Sequence, residues 1–129
     1  MKNLTVYVLK CDTSKYYVGR SLNYGKRIDQ HFAGKGAEWT KKYKPIYVDK
    51  IIQSSDVYDE DKYTLMYMNK YGIGNVRGGT YSRLILPDYQ IKTLKDQLST
   101  IRGICYYCGS FNHFISDCTK MRNNKLINK

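Results

Sequence analysis

The sequence predicts a mixed α/β (α+β) protein, with a small three-stranded sheet flanked by helices and a compact cysteine- and histidine-rich unit near its C-terminal end. Three observations carry that expectation. Short runs rich in Val, Ile, Leu and Tyr fall at residues 4–10, 16–20 and 45–53, the composition of pleated, half-buried strands. Segments with helical periodicity and helix stop signals lie between and after them. Three of the four cysteines and one of the two histidines crowd into "CYYCGSFNHFISDC", Cys105 to Cys118.

The elements follow in order. "CDTSK" is a turn-rich connection of hairpin length between the first two strands. "YGKRIDQHFA", from Tyr24 to Ala33, predicts a helix closed by the glycines of "GKG". Arg27 and His31 are four apart and share a face, and Ile28 and Phe32 turn toward the core. "AEWTKKY" predicts another helical turn, and Pro45 opens the third strand, "PIYVDKIIQ". In "SSDVYDEDKYTLMYMNKYG", Ser55 or Asp56 can cap a helix, acids fill its first turn and Gly72 ends it. "IGNVRGGTYSR" reads as glycine-punctuated loop, its "RGG" a tight turn more than a phosphate-grasping loop. Beyond Pro87 a last helix runs to about Ile101, with Ile91, Leu94, Leu98 and Ile101 on one face. "TKMRNNKLINK" is a polar tail.

A chain of 129 residues suits one domain with a small appendage. No run approaches the ~18 apolar residues of a membrane span. The apolar stretch in "MKNLTVYVLKCD" is short and broken by Lys10, so no secretory signal is expected. An intracellular setting follows, cytoplasm or nucleus, where four cysteines mean metal or bystander thiols rather than disulfides. Cys11, alone at a strand end, is best read as a small buried hydrophobe. The net charge of +11 points to a polyanion partner. Fourteen tyrosines interleaved with lysines add faces on which bases can stack, although strand tyrosines are core packers by default.

Cys105-x2-Cys108-x4-His113-x4-Cys118 supplies three thiolates and one imidazole, a closed tetrahedral Zn²⁺ shell with no open position for a reactive water. So short a segment cannot bury enough apolar surface to fold alone, so zinc would supply its folding free energy. The pattern resembles the CCHC zinc knuckle. Gly109 stands after the second cysteine as in that family, and Asn112 replaces a frequent glycine before the histidine. The resemblance implies grip on unpaired bases: Tyr106 and Phe114 are the candidates for stacking, and Lys120 and Arg122 for phosphates. The bland alternative for the aromatics is that they cover the metal.

"VYVL" at 6–9, "YYVG" at 16–19 and "RSLNYGKRIDQHFAGKG" form a second ordered set. It resembles the GIY-YIG nucleases over about residues 4–80. Tyr7 falls in the strand of the first tripeptide, Tyr17-Val18-Gly19 is a variant of the second, and Arg27 and His31 occupy the helix positions. The family's metal-binding glutamate corresponds to Glu60, and Asn75 to the asparagine after that helix. The resemblance implies a divalent-metal endonuclease using Mg²⁺ or Mn²⁺. Its catalytic set is Tyr7, Tyr17, Arg27, His31 and Glu60, with Lys26 beside the phosphate, and either tyrosine could serve as the base. By default Asp56, Asp59, Glu60 and Asp61 complement a helix dipole, although in an otherwise basic chain four acids in six residues are where a divalent cation would go. The division expected is 1–85 nuclease-like, 86–102 connecting helix, 103–120 zinc knuckle and 121–129 basic tail. Domain and knuckle together also resemble proteins of large DNA viruses. DNA is the expected partner, with RNA open and no small-molecule substrate. A nuclease-like scaffold that binds without cutting is the alternative.

Overall fold

The structure is a computed structural model that describes residues 4–53 and 55–100. The chain divides into two units, Met1–Leu86 and Pro87–Lys129. The four predicted zinc ligands, with Tyr106, Phe114, Lys120, Arg122 and the tail, lie outside the described residues.

In the first unit, strands β1 (Thr5–Cys11) and β2 (Lys15–Ser21) form an antiparallel hairpin across a single turn at Asp12–Ser14. Helices α1 (Tyr24–Phe32) and α2 (Glu38–Lys42) follow, then strand β3 (Pro45–Ile52) and helix α3 (Asp59–Tyr71). A short turn leads into β4 (Val76–Gly78). The sheet order is β3-β1-β2-β4, with β3 antiparallel to β1 and β4 parallel to β2.

The sheet therefore has four strands where the sequence predicts three. The fourth comes from the segment that reads as loop. Val76–Gly78 is too short to show an alternating pattern, and its pairing to Tyr16–Val18 joins residues sixty positions apart.

The strand period of two assigns the faces. Tyr7, Leu9 and Cys11 of β1 and Tyr17 of β2 pack with Ile28 and Trp39, forming the core under α1 and α2. Val6, Val8 and Val18 are fully buried on the opposite face. There Tyr16 meets Tyr67 of α3, and Thr64 of α3 crowds Gly78. Cys11 is buried and free, its thiol pushed up to about 12 by burial.

Two local expectations change. Phe32 is 40% exposed rather than in the core, because α1 turns inward at spacing three, through Ile28 and His31. At α3 the N-cap is Tyr58 with no side-chain cap. Asp56 and Asp59 instead fold the preceding loop, accepting from the Tyr58 and Asp56 N–H groups at 2.8 and 3.1 Å. Gly72 ends α3 at φ 102°, as its position predicts.

In the second unit, α4 (Asp88–Thr100) buries Leu94 and Leu98, four apart on one face, as the periodicity predicts. Among the described residues no helix is long and apolar enough to cross a membrane.

Candidate active site

The hairpin sets the first two residues. Tyr7 pairs opposite Gly19, and an added Cβ at Gly19 would collide with the Tyr7 ring and hydroxyl. The glycine is thus what lets the Tyr7 ring lie across β2. Tyr17 stands two residues before it on the same face. Its ring centroid is 4.9 Å from that of His31, and Tyr7's is 5.7 Å away.

His31 is fully buried and bonded at both ring nitrogens. Nε2 lies 2.9 Å from the Tyr7 hydroxyl and Nδ1 2.9 Å from Thr40 Oγ1. The Thr40 hydroxyl also lies 2.9 Å from the Ala37 carbonyl. The Ala37 N–H donates to Nδ1 at 3.4 Å. The tautomer of the ring sets which way the Thr40 and Tyr7 contacts run. Burial, and then the charge of Arg27, lower the His31 pKa to about 4, so the ring is neutral at pH 7. Gly36 makes room, since a Cβ there would strike the imidazole.

Arg27, half-buried on α1, hydrogen-bonds the Tyr7 hydroxyl and donates to Gln30 Oε1 at 2.9 Å. Both tyrosine hydroxyls are held above their ordinary pKa, chiefly by burial. For Tyr7 the next cause is Tyr17 and for Tyr17 it is Glu60, while Arg27 pulls both back. Glu60 also acts on Tyr7. Tyr7, Tyr17, Arg27, His31 and Glu60 therefore form one electrostatic neighbourhood.

Glu60 stands in the first turn of α3, at an open cleft of about 300 Å³ lined by Arg20, Val57, Glu60, Asp61, Gly79 and Thr80. Burial raises its pKa, Arg20 opposes that, Asp61 adds to it, and the Gly79 N–H lowers it by hydrogen bonding. Arg20 Nε is 3.3 Å from Glu60 Oε1. Asp61 accepts from the Thr80 N–H at 2.9 Å and the Thr80 hydroxyl at 2.7 Å. That pair of bonds fastens the turn after β4 over α3 and presents Gly79 to Glu60.

Among the described residues no three His, Cys, Asp or Glu side chains cluster as a metal cage. A half-buried carboxylate at an open, polar cleft still fits a hard divalent cation of the kind held by one or two carboxylates, waters and substrate phosphate.

The remaining sequence candidates lie apart. Lys26 is exposed in the first turn of α1. Asn75 is engaged at the far end of α3, accepting from Lys15 Nζ and donating to the Tyr71 carbonyl, both at 2.7 Å. Arg77 of the "RGG" turns inward onto the carbonyls of Ile73, Val76, Arg83 and Leu84, over the Trp39 ring. It closes the β4 turn and grasps no phosphate. Sequence reasoning missed Arg20, Thr40 and Asp61. Arg20 follows Gly19 directly, so strand alternation would have placed it on the α3 side. Nothing local marks Thr40, which meets His31 only through the α1–α2 turn.

Residues 3–71, just over half of the chain, match the model of the GIY-YIG catalytic domain. The chain belongs to the GIY-YIG family. Residues 103–120 match the CCHC zinc knuckle, so the GIY-YIG domain is followed by a knuckle as the spacing of its cysteines and histidine predicts. The chain is similar to a UPF0213 protein encoded in the glnA 3′ region of Neisseria gonorrhoeae, 43% identical over 34% of this chain and 48% of that one. A UPF0213 protein of Bacillus cereus is 35% identical over 50% of this chain and 62% of its own. One from Oceanobacillus iheyensis is 36% identical over 43% of this chain and 69% of its own. The chain spans about half the length of the first of these. All three are bacterial, which lends the viral resemblance no support. No solved structure matches significantly.

Proposed function

We propose that this GIY-YIG protein is a divalent-metal-dependent endonuclease that hydrolyses phosphodiester bonds in DNA, branched, flapped or nicked, and that its zinc knuckle holds single-stranded nucleic acid. The observation that carries the reading is the shared neighbourhood of Tyr7, Tyr17, Arg27 and His31 with Glu60, which itself lines an open cleft. Water attacks phosphorus, the P–O bond to the leaving sugar oxygen breaks, and that oxygen takes up a proton. Arg27 offers a planar fork to the phosphate oxygens. No hydrogen bond to a described residue engages the Tyr17 hydroxyl, so Tyr17 is the phenol that orients the water. Tyr7 sits one step behind, its hydroxyl held between His31 Nε2 and Arg27. A divalent cation on Glu60, Mg²⁺ or Mn²⁺, would supply charge neutralisation at the phosphate and leaving oxygen.

The test incubates purified protein with Mg²⁺ or Mn²⁺ and a panel of flap, fork, nicked and single-stranded DNAs. Cutting is expected, with losses of at least about 10²-fold for Arg27→Ala and Glu60→Ala. Absence of cutting, or full activity in both variants, overturns the reading. One observation favours a scaffold that binds without cutting: Arg20 already neutralises Glu60. Metal-independent binding with no cleavage would select that alternative.

A further inference from the structure

We infer that Tyr58, with Val57 beside it, is a stacking platform for an unpaired nucleobase next to the scissile phosphate. The inference rests on the nuclease reading of the same cleft and names the substrate feature that the cleft selects.

Tyr58 is 79% exposed and Val57 63%, an adjacent apolar pair turned to water. Single exposed apolar residues are ordinary; this pair is distinguished by where it sits and how it is held. Val57 lines the cleft, and Tyr58 is two residues before Glu60. The loop is braced at every residue. The Val57 carbonyl accepts from Arg20 at 3.1 Å, and the Tyr58 N–H donates to Asp56 at 2.8 Å. The Tyr58 carbonyl accepts from the Lys62 N–H at 3.1 Å, and the Ser55 N–H donates to the Leu4 carbonyl at 2.8 Å. An aromatic on a braced loop loses little conformational freedom when it takes a partner.

Charge decides which part of a nucleic acid it meets. Asp56 and Asp59 flank the pair along the chain and Asp61 lines the cleft with Val57, so this rim repels phosphates. A duplex presents its charged backbone there. A base freed from pairing presents an uncharged π-face, which an aromatic accepts whatever the sequence. Arg20 lines the same cleft beside Glu60, where the phosphate belongs. The rim thus favours a nucleotide that is unpaired one step from the cut, as at a flap, fork or gap.

The experiment uses the full chain with two DNAs of equal length. One carries an unpaired 2-aminopurine at a flap junction, and the other carries the same base fully paired. Binding is followed by 2-aminopurine fluorescence in wild type, Tyr58→Phe and Tyr58→Ala, with melting temperature as the fold control for so exposed a site. Wild type and Tyr58→Phe should quench the unpaired base. Tyr58→Ala should lose part of that quenching and bind the flap about tenfold more weakly, with unchanged affinity for the paired DNA and an unchanged salt slope. Equal quenching and affinity in Tyr58→Ala, or equal weakening on both DNAs, overturns the inference. Binding and quenching need no cleavage, so absence of cutting with quenching intact would sink the nuclease reading and leave the platform standing.

Discussion

At the scale of single residues, His31 is the best-constrained group in the molecule. It is fully buried and meets Tyr7 at Nε2 and both Thr40 and the Ala37 N–H at Nδ1. Protonation would place a buried charge beside Arg27 and leave Nδ1 unable to accept from Ala37. The folded pKa lies near 4 against an ordinary 6.5. Between those values the unfolded chain binds the proton and the folded chain does not, so stability falls as pH drops from 6.5 toward 4, by about 3 kcal/mol in all. Urea titrations at pH 7.5, 6.0 and 5.0 should show that loss, and His31→Asn should flatten it. Thr40→Val removes the buried hydrogen bond to His31 Nδ1 and should cost about 1–3 kcal/mol, read as a lower melting temperature. Gly36→Ala should be more damaging than its small size suggests, because its Cβ meets the imidazole itself.

At the scale of elements, legibility followed locality. The hairpin, α1 and α3 announce themselves through tyrosine- and valine-rich runs, helical spacing and Gly72, and they carry Tyr7, Tyr17, Arg27, His31 and Glu60. β4 does not, because three residues ending in glycine hold no period and their partner strand is sixty positions away. The same non-locality hid Thr40 and Asp61, whose roles exist only once α2 and the turn after β4 are folded against α1 and α3. Arg77 serves the tight turn that "RGG" suggests: over the Trp39 ring, its guanidinium donates to four carbonyls. Arg77→Ala should therefore lower stability by about 3 kcal/mol, by stranding buried acceptors. Equilibrium unfolding checks that loss, and the salt slope of DNA binding should stay unchanged. A slope reduced by about one would instead mark a phosphate contact.

At the scale of the whole molecule, the chain carries a net charge of +11, and four of its eleven acids gather at the start of α3. Affinity for nucleic acid should thus fall steeply with salt, while selection among substrates stays with the cleft and the knuckle. The knuckle's proposed ligands, Cys105, Cys108, His113 and Cys118, form a closed set, which suits grip and not catalysis. Zinc would supply their folding energy, whereas the first unit has a core of its own around Tyr7, Leu9 and Trp39. One zinc per chain is expected by elemental analysis. Cys108→Ser, or chelation of zinc, should abolish the ordered state of residues 103–120 and weaken single-strand binding. The unfolding transition of the upstream unit should stay where it was. Zinc-free protein that keeps an ordered C-terminal unit, or an upstream transition that moves with the metal, would show that the two are not separately stabilised.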